Sequence, residues 1–175
     1  MSRLARIAAY AGLAAGEYGV AVAYLSRGTW WHFLLHQLVG WGLGLAVGSL
    51  IRRQRRPRRH QRPRQPSAVA AAVAGQLVAI APDLIFRYLR MPHEASMDLW
   101  VGHISIHRGP SPVLVALAVF LLGGWAWVAA AYGRYRVSSV LALTGPVVLT
   151  VACLVALPIP ARLQDFPRDS AVVSR

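Results

Sequence analysis

Six histidines, six acidic residues and one cysteine are the side chains of this 175-residue sequence with most capacity for chemistry. His32 and His36 are four residues apart, and so are His103 and His107; on a helix that spacing sets both imidazoles of a pair on one face. Asp83 lies in an otherwise apolar run, and His93, Glu94 and Asp98 follow it. Imidazole and carboxylate suit zinc and other first-row divalent cations, and a catalytic zinc site needs three such ligands with one position left for water. The expected ligands are His32 or His36, Asp83, and His103 or His107. A cation there would activate water and polarise a scissile bond, with Glu94 or Asp98 as general base. Cys153, alone in an apolar stretch, provides neither a disulfide framework nor a cysteine-based metal site.

The same residues have plainer readings. His32 and His36 follow Trp30 and Trp31, as in the polar and aromatic belt of a membrane interface. Asp83 stands one turn before Arg87 and pairs with it in a purely structural reading. An ionised carboxylate below a membrane surface is costly, however, and marks function by default. The two His-x-x-x-His pairs also match a haem or copper site.

The elements that must position these groups are hydrophobic helices. The hydrophobic share is 56% and the mean hydropathy +0.45, well above a soluble domain, whose apolar share is roughly 45–50% even with glycine counted. Apolar runs at 4–25, 31–51, 68–88, 112–131 and 140–157 each reach the length of about 20 residues needed for a crossing. The expected fold is all-α: a polytopic transmembrane bundle of about five spans forming one domain over residues 1–160, with a tail at 161–175 expected to be disordered. Arg3 and Arg6 before the first run resemble a signal peptide, but the run is long and lacks a small-residue cleavage site, so it reads as a retained helix.

Orientation follows from the arginines. All 19 basic residues are arginine, which with the alanine content points to a GC-rich, bacterial coding bias, and eight of them fall between Arg52 and Arg64. Cytoplasmic loops collect such charge, so the linker at 52–67 and the N-terminus belong inside, giving 12 arginines inside against 7 outside. The formal charge of +13 is thus concentrated in a loop and does not signal nucleic-acid binding. The loop anchors topology, or meets anionic lipids at the cytoplasmic leaflet of a bacterial inner membrane. This topology gathers five of the six histidines and Asp83, Glu94 and Asp98 at the outer face, with Glu17 able to approach from below.

Local signals refine the picture. Gly40, Gly44 and Gly48, and Gly12 and Gly16, recur every four residues, a spacing that lets membrane helices approach closely. Pro82 removes a backbone donor and is expected to break the third helix beside Asp83. Met97, Trp100, Val101 and Ile104 fall at helical spacing and predict a short interfacial helix over 95–107. Zincin, Walker, dinucleotide-binding and nucleophile-elbow motifs are absent from the sequence.

Trp31-His32 with His36, Pro82-Asp83-Leu84 and His107-Arg108-Gly109 resemble, in order, three elements of a family of small bacterial inner-membrane proteins described as metal-dependent hydrolases. The likeness covers roughly residues 32–115. It departs at Ile85, where the family has a second aspartate, and at Ser111-Pro112, where it has a Thr-His-Ser. The resemblance implies a membrane-embedded hydrolase, with His103 standing in for the missing histidine. The leading expectation is a metal-dependent hydrolase, with zinc, of a lipid-linked or envelope substrate. The alternative is a non-enzymatic membrane scaffold or assembly subunit that holds no metal.

Overall fold

The computed structural model describes residues 2–26, 29–54, 67–89, 112–131 and 137–158, with the side chains of residues 3, 6 and 86–89 outside that description. Among the described residues five helices follow in chain order: α1 (Arg3–Leu25), α2 (Trp30–Gln54), α3 (Ala68–Leu89), α4 (Pro112–Ala130) and α5 (Val137–Ala156). The fold is all-α. Four helices, α2 to α5, are long and apolar enough to cross a membrane. The first run has the length but falls short in hydropathy, because Glu17, three tyrosines and three glycines dilute its aliphatic residues. The interfacial helix expected at 95–107, residues 55–66 of the basic linker and the 161–175 tail lie outside the described residues.

Local caps fit the helix boundaries. Ser2 Oγ accepts the Ala5 backbone N–H, and Ser67 Oγ accepts that of Ala70, each satisfying a donor the first turn leaves open. The α1–α2 turn is tied at one atom: the Tyr24 carbonyl accepts both the Thr29 N–H (3.2 Å) and the Thr29 hydroxyl (2.8 Å). Helix α3 continues through Pro82 instead of breaking there, because a proline missing one N–H is tolerated where neighbouring helices hold the segment in place.

Helix α2 is the axis of the bundle and carries buried residues along most of its length. The reason is a two-sided glycine seam. A Cβ on Gly40 or Gly44 would strike the α3 backbone at Gln76 and Ala71, and one on Gly75 would strike α2 at Gly40 and Gly44. On another side of α2, Gly42 meets the α4 backbone at Val119 and Phe120, and Gly123 meets Gly42 in return. With little hydrophobic drive between helices in lipid, such backbone proximity gains dispersion that larger residues would forbid. Gly12 and Gly16 do not act this way: nothing lies within 4 Å of a Cβ on Gly12, and one on Gly16 meets only the Leu77 side chain. The expected close approach of α1 is therefore absent at those glycines.

Three tryptophan indoles tie segments of the bundle together. Trp41 Nε1 donates to Gln76 Oε1 across α2 and α3, Trp127 Nε1 to Ser139 Oγ across α4 and α5, and Trp31 Nε1 to the Pro158 carbonyl. The Arg52 guanidinium sits 4.9 Å from the Trp127 ring centroid, a cation–π contact at the arginine-bearing end of α2. Outward, α4 and α5 expose Leu114, Leu122, Trp125, Val148 and Val155 among others, an apolar exterior suited to lipid.

Candidate metal centre

The cluster forms at the end of the bundle opposite Arg52, where α2 begins and α3 nears its end. His32 and His36, one turn apart on α2, stack with ring centroids 4.8 Å apart. Asp83 of α3 reaches them because the glycine seam holds the two backbones close enough for short side chains to meet. The Nε2 atoms of His32 and His36 lie 2.9 Å and 2.8 Å from Asp83 Oδ2 and 3.0 Å from each other. All three residues are buried, at 2%, 8% and 3% exposure.

Hydrogen bonding satisfies this triangle only with Asp83 protonated, its Oδ2–H donated to one imidazole and the N–H of the other shared between Oδ2 and the first. With Asp83 ionised, each imidazole must carry its proton on Nε2 to donate to Oδ2, and the two N–H groups then face one another at 3.0 Å. If either nitrogen gives up its proton, its lone pair confronts the carboxylate instead. A cation at the centre removes the conflict, since it attracts two nitrogen lone pairs and a carboxylate oxygen together. Bonds of about 2.0–2.1 Å place tetrahedral zinc donors about 3.3 Å apart, so a few tenths of an ångström of outward movement would accommodate one. The donor set of two imidazoles and a carboxylate suits first-row divalent cations.

Sequence reasoning brought His32, His36 and Asp83 forward, and the structure brings these three together as a group able to hold a metal ion. His103, His107, Glu94 and Asp98 lie outside the described residues, as does the Arg87 side chain offered as a structural partner for Asp83. Glu17 is not part of the cluster; its Oε2 is buried without a hydrogen-bond partner among the described residues.

The group sequence reasoning missed is Tyr24. Its hydroxyl donates to Asp83 Oδ2, the same oxygen that both imidazoles face. Its ring is fully buried, tilted against His32 at 5.3 Å and edge-on to His36 at 6.2 Å. A tyrosine near the end of an apolar run reads as an interfacial anchor, and the only other signal was its place eight residues before His32 across a short turn. No protein family, no curated protein and no solved structure matches this chain, so the site is read from its own geometry.

Proposed function

We propose that the chain is an integral membrane metalloprotein in which His32, His36 and Asp83 hold a divalent cation, zinc by its ligand set, for hydrolysis of a lipid-linked or envelope substrate at the outer face of a bacterial inner membrane. One observation carries the metal reading: two imidazole nitrogens and a carboxylate oxygen converge at 2.8–3.0 Å in an arrangement that leaves an ionised Asp83 in conflict and that a cation satisfies. The hydrolytic part is supported by the resemblance of the His32, Pro82-Asp83 and His107-Arg108-Gly109 elements to membrane hydrolases. In that reading Glu94 or Asp98 accepts the proton of the attacking water, and His103 or His107 completes the ligand set. Orientation with the N-terminus inside is supported by the arginine run at 52–64, which in the same reading meets anionic lipids.

The burial of all three ligands favours a second reading, in which the cation only ties the helices of a scaffold together. Both are tested by elemental mass spectrometry of detergent-purified protein beside His36→Ala and Asp83→Ala, followed by a hydrolase screen on the loaded protein. About one zinc per chain, lost in both variants, and turnover lost with it support the enzyme. Stoichiometric metal without turnover of any phosphoester, ester or amide lipid leaves the scaffold, and metal-free protein that cannot be reconstituted removes both.

A further inference from the structure

We infer that Tyr24, in place of His103 or His107, is the fourth protein ligand of the cation, which makes the centre a two-nitrogen, two-oxygen site built from three helices. This rests on the metal reading of His32, His36 and Asp83. Three observations converge on it. The Tyr24 oxygen is already at Asp83 Oδ2, the atom that both imidazoles approach, so a cation drawn to that oxygen lies beside the phenol as well. The ring is held from two directions, against His32 and His36, and is fully buried, leaving the hydroxyl no bulk water to turn toward. The backbone of Tyr24 is fixed independently, through its carbonyl, by Thr29 at the start of α2.

On coordination, the O–H···O bond between Tyr24 and Asp83 would be exchanged for two metal–oxygen bonds, and the phenolic proton would leave on a water shed by the entering hydrated cation. Metal binding releases protons in this way wherever a ligand must be deprotonated, and a bound cation reverses the local preference for the neutral phenol. The chemical consequence is selectivity. A phenolate oxygen beside a carboxylate shifts the preference of a two-histidine site toward harder or more highly charged ions. It also closes a tetrahedral centre, so water or substrate enters only by expansion to five ligands.

The test uses the full chain in detergent loaded with Cu²⁺, which binds nitrogen and oxygen sites more tightly than zinc and gives a visible charge-transfer band when a phenolate is bound. The expected result is one copper per chain in wild type and in Tyr24→Phe, with the band present in wild type and absent from the variant. Resonance Raman modes of wild type that shift with ring-deuterated tyrosine give the same answer without any variant. Stoichiometric copper in wild type without a phenolate band, or a band that persists in Tyr24→Phe, overturns the inference and leaves Tyr24 as a hydrogen-bond donor to Asp83. Failure of wild type to bind copper at all overturns the metal reading itself, a separate and distinguishable outcome.

Discussion

The interface of α2 with α3 and that of α1 with the same pair are built on different principles. Between α2 and α3 the backbones touch through Gly40, Gly44 and Gly75, and the positions of His32, His36 and Asp83 are set by contacts with no adjustable side chain between them. Helix α1 is held by side chains: Leu77 beneath Gly16, Tyr10 donating to Ser67 Oγ at 3.1 Å, and Tyr24 at the cluster. His32, His36 and Asp83 therefore sit on a pair joined backbone to backbone, and Tyr24 arrives on a helix joined through its side chains. The contrast teaches that precision at this site comes from the glycine seam beside it, because a shift of the seam moves all three residues at once.

The sharpest way to break the contrast is to enlarge the seam. Gly75→Leu is expected to cost at least about 3 kcal/mol, the upper end of ordinary overpacking, because the new side chain meets backbone; thermal melts in detergent should show little folded protein. Gly12→Leu, on the loosely held helix, should melt near wild type. Removal of the proposed cation comes next: at a free concentration of about 100 times its Kd, such an ion would stabilise the fold by about 2.7 kcal/mol. Chelation should therefore lower the Tm of wild type and leave Asp83→Ala unmoved. Asp83→Ala itself should weaken metal binding by more than the roughly 10–100-fold typical of an outer hydrogen-bond partner, read by competition with a chelating dye.

Smaller effects sharpen the picture. Trp41→Phe removes the donor to the buried Gln76 oxygen and should cost about 1–3 kcal/mol, measured by unfolding in mixed detergent. Gly12→Ala should cost nothing and gain at most about 0.5–1 kcal/mol, the helix preference of alanine over glycine, in the same assay. If Gly12→Ala proves as damaging as Gly75→Leu, α1 is packed more tightly than the structure shows and the contrast fails.

Helix positions were legible in the sequence because lipid leaves one economical solution for a long apolar run, and the runs from Trp31, Ala68, Pro112 and Val140 were found close to their structural bounds. The seam was half legible. Gly40, Gly44 and Gly48 announce themselves by period, whereas Gly42, Gly75 and Gly123 fall outside that period and acquire meaning only from the facing backbone. Within the cluster, His32 and His36 could be paired by spacing and Asp83 singled out by its surroundings. Tyr24 could not: a tyrosine near a helix end is ordinary, and its role depends on where the next two helices place an oxygen. Pro82 misled for a related reason, since the neighbours that keep α3 continuous are tertiary.

The single carboxylate oxygen at which Tyr24 and His32 meet is supplied by a residue 59 and 51 positions after them in the chain. In a growing chain, Tyr24 and both imidazoles are synthesised before Asp83, with the arginine-rich segment between them. For that interval the first two helices carry polar groups without the partner that justifies their burial. Assembly at this end of the bundle is thus ordered in time, and the cluster closes only when α3 brings Asp83 to it.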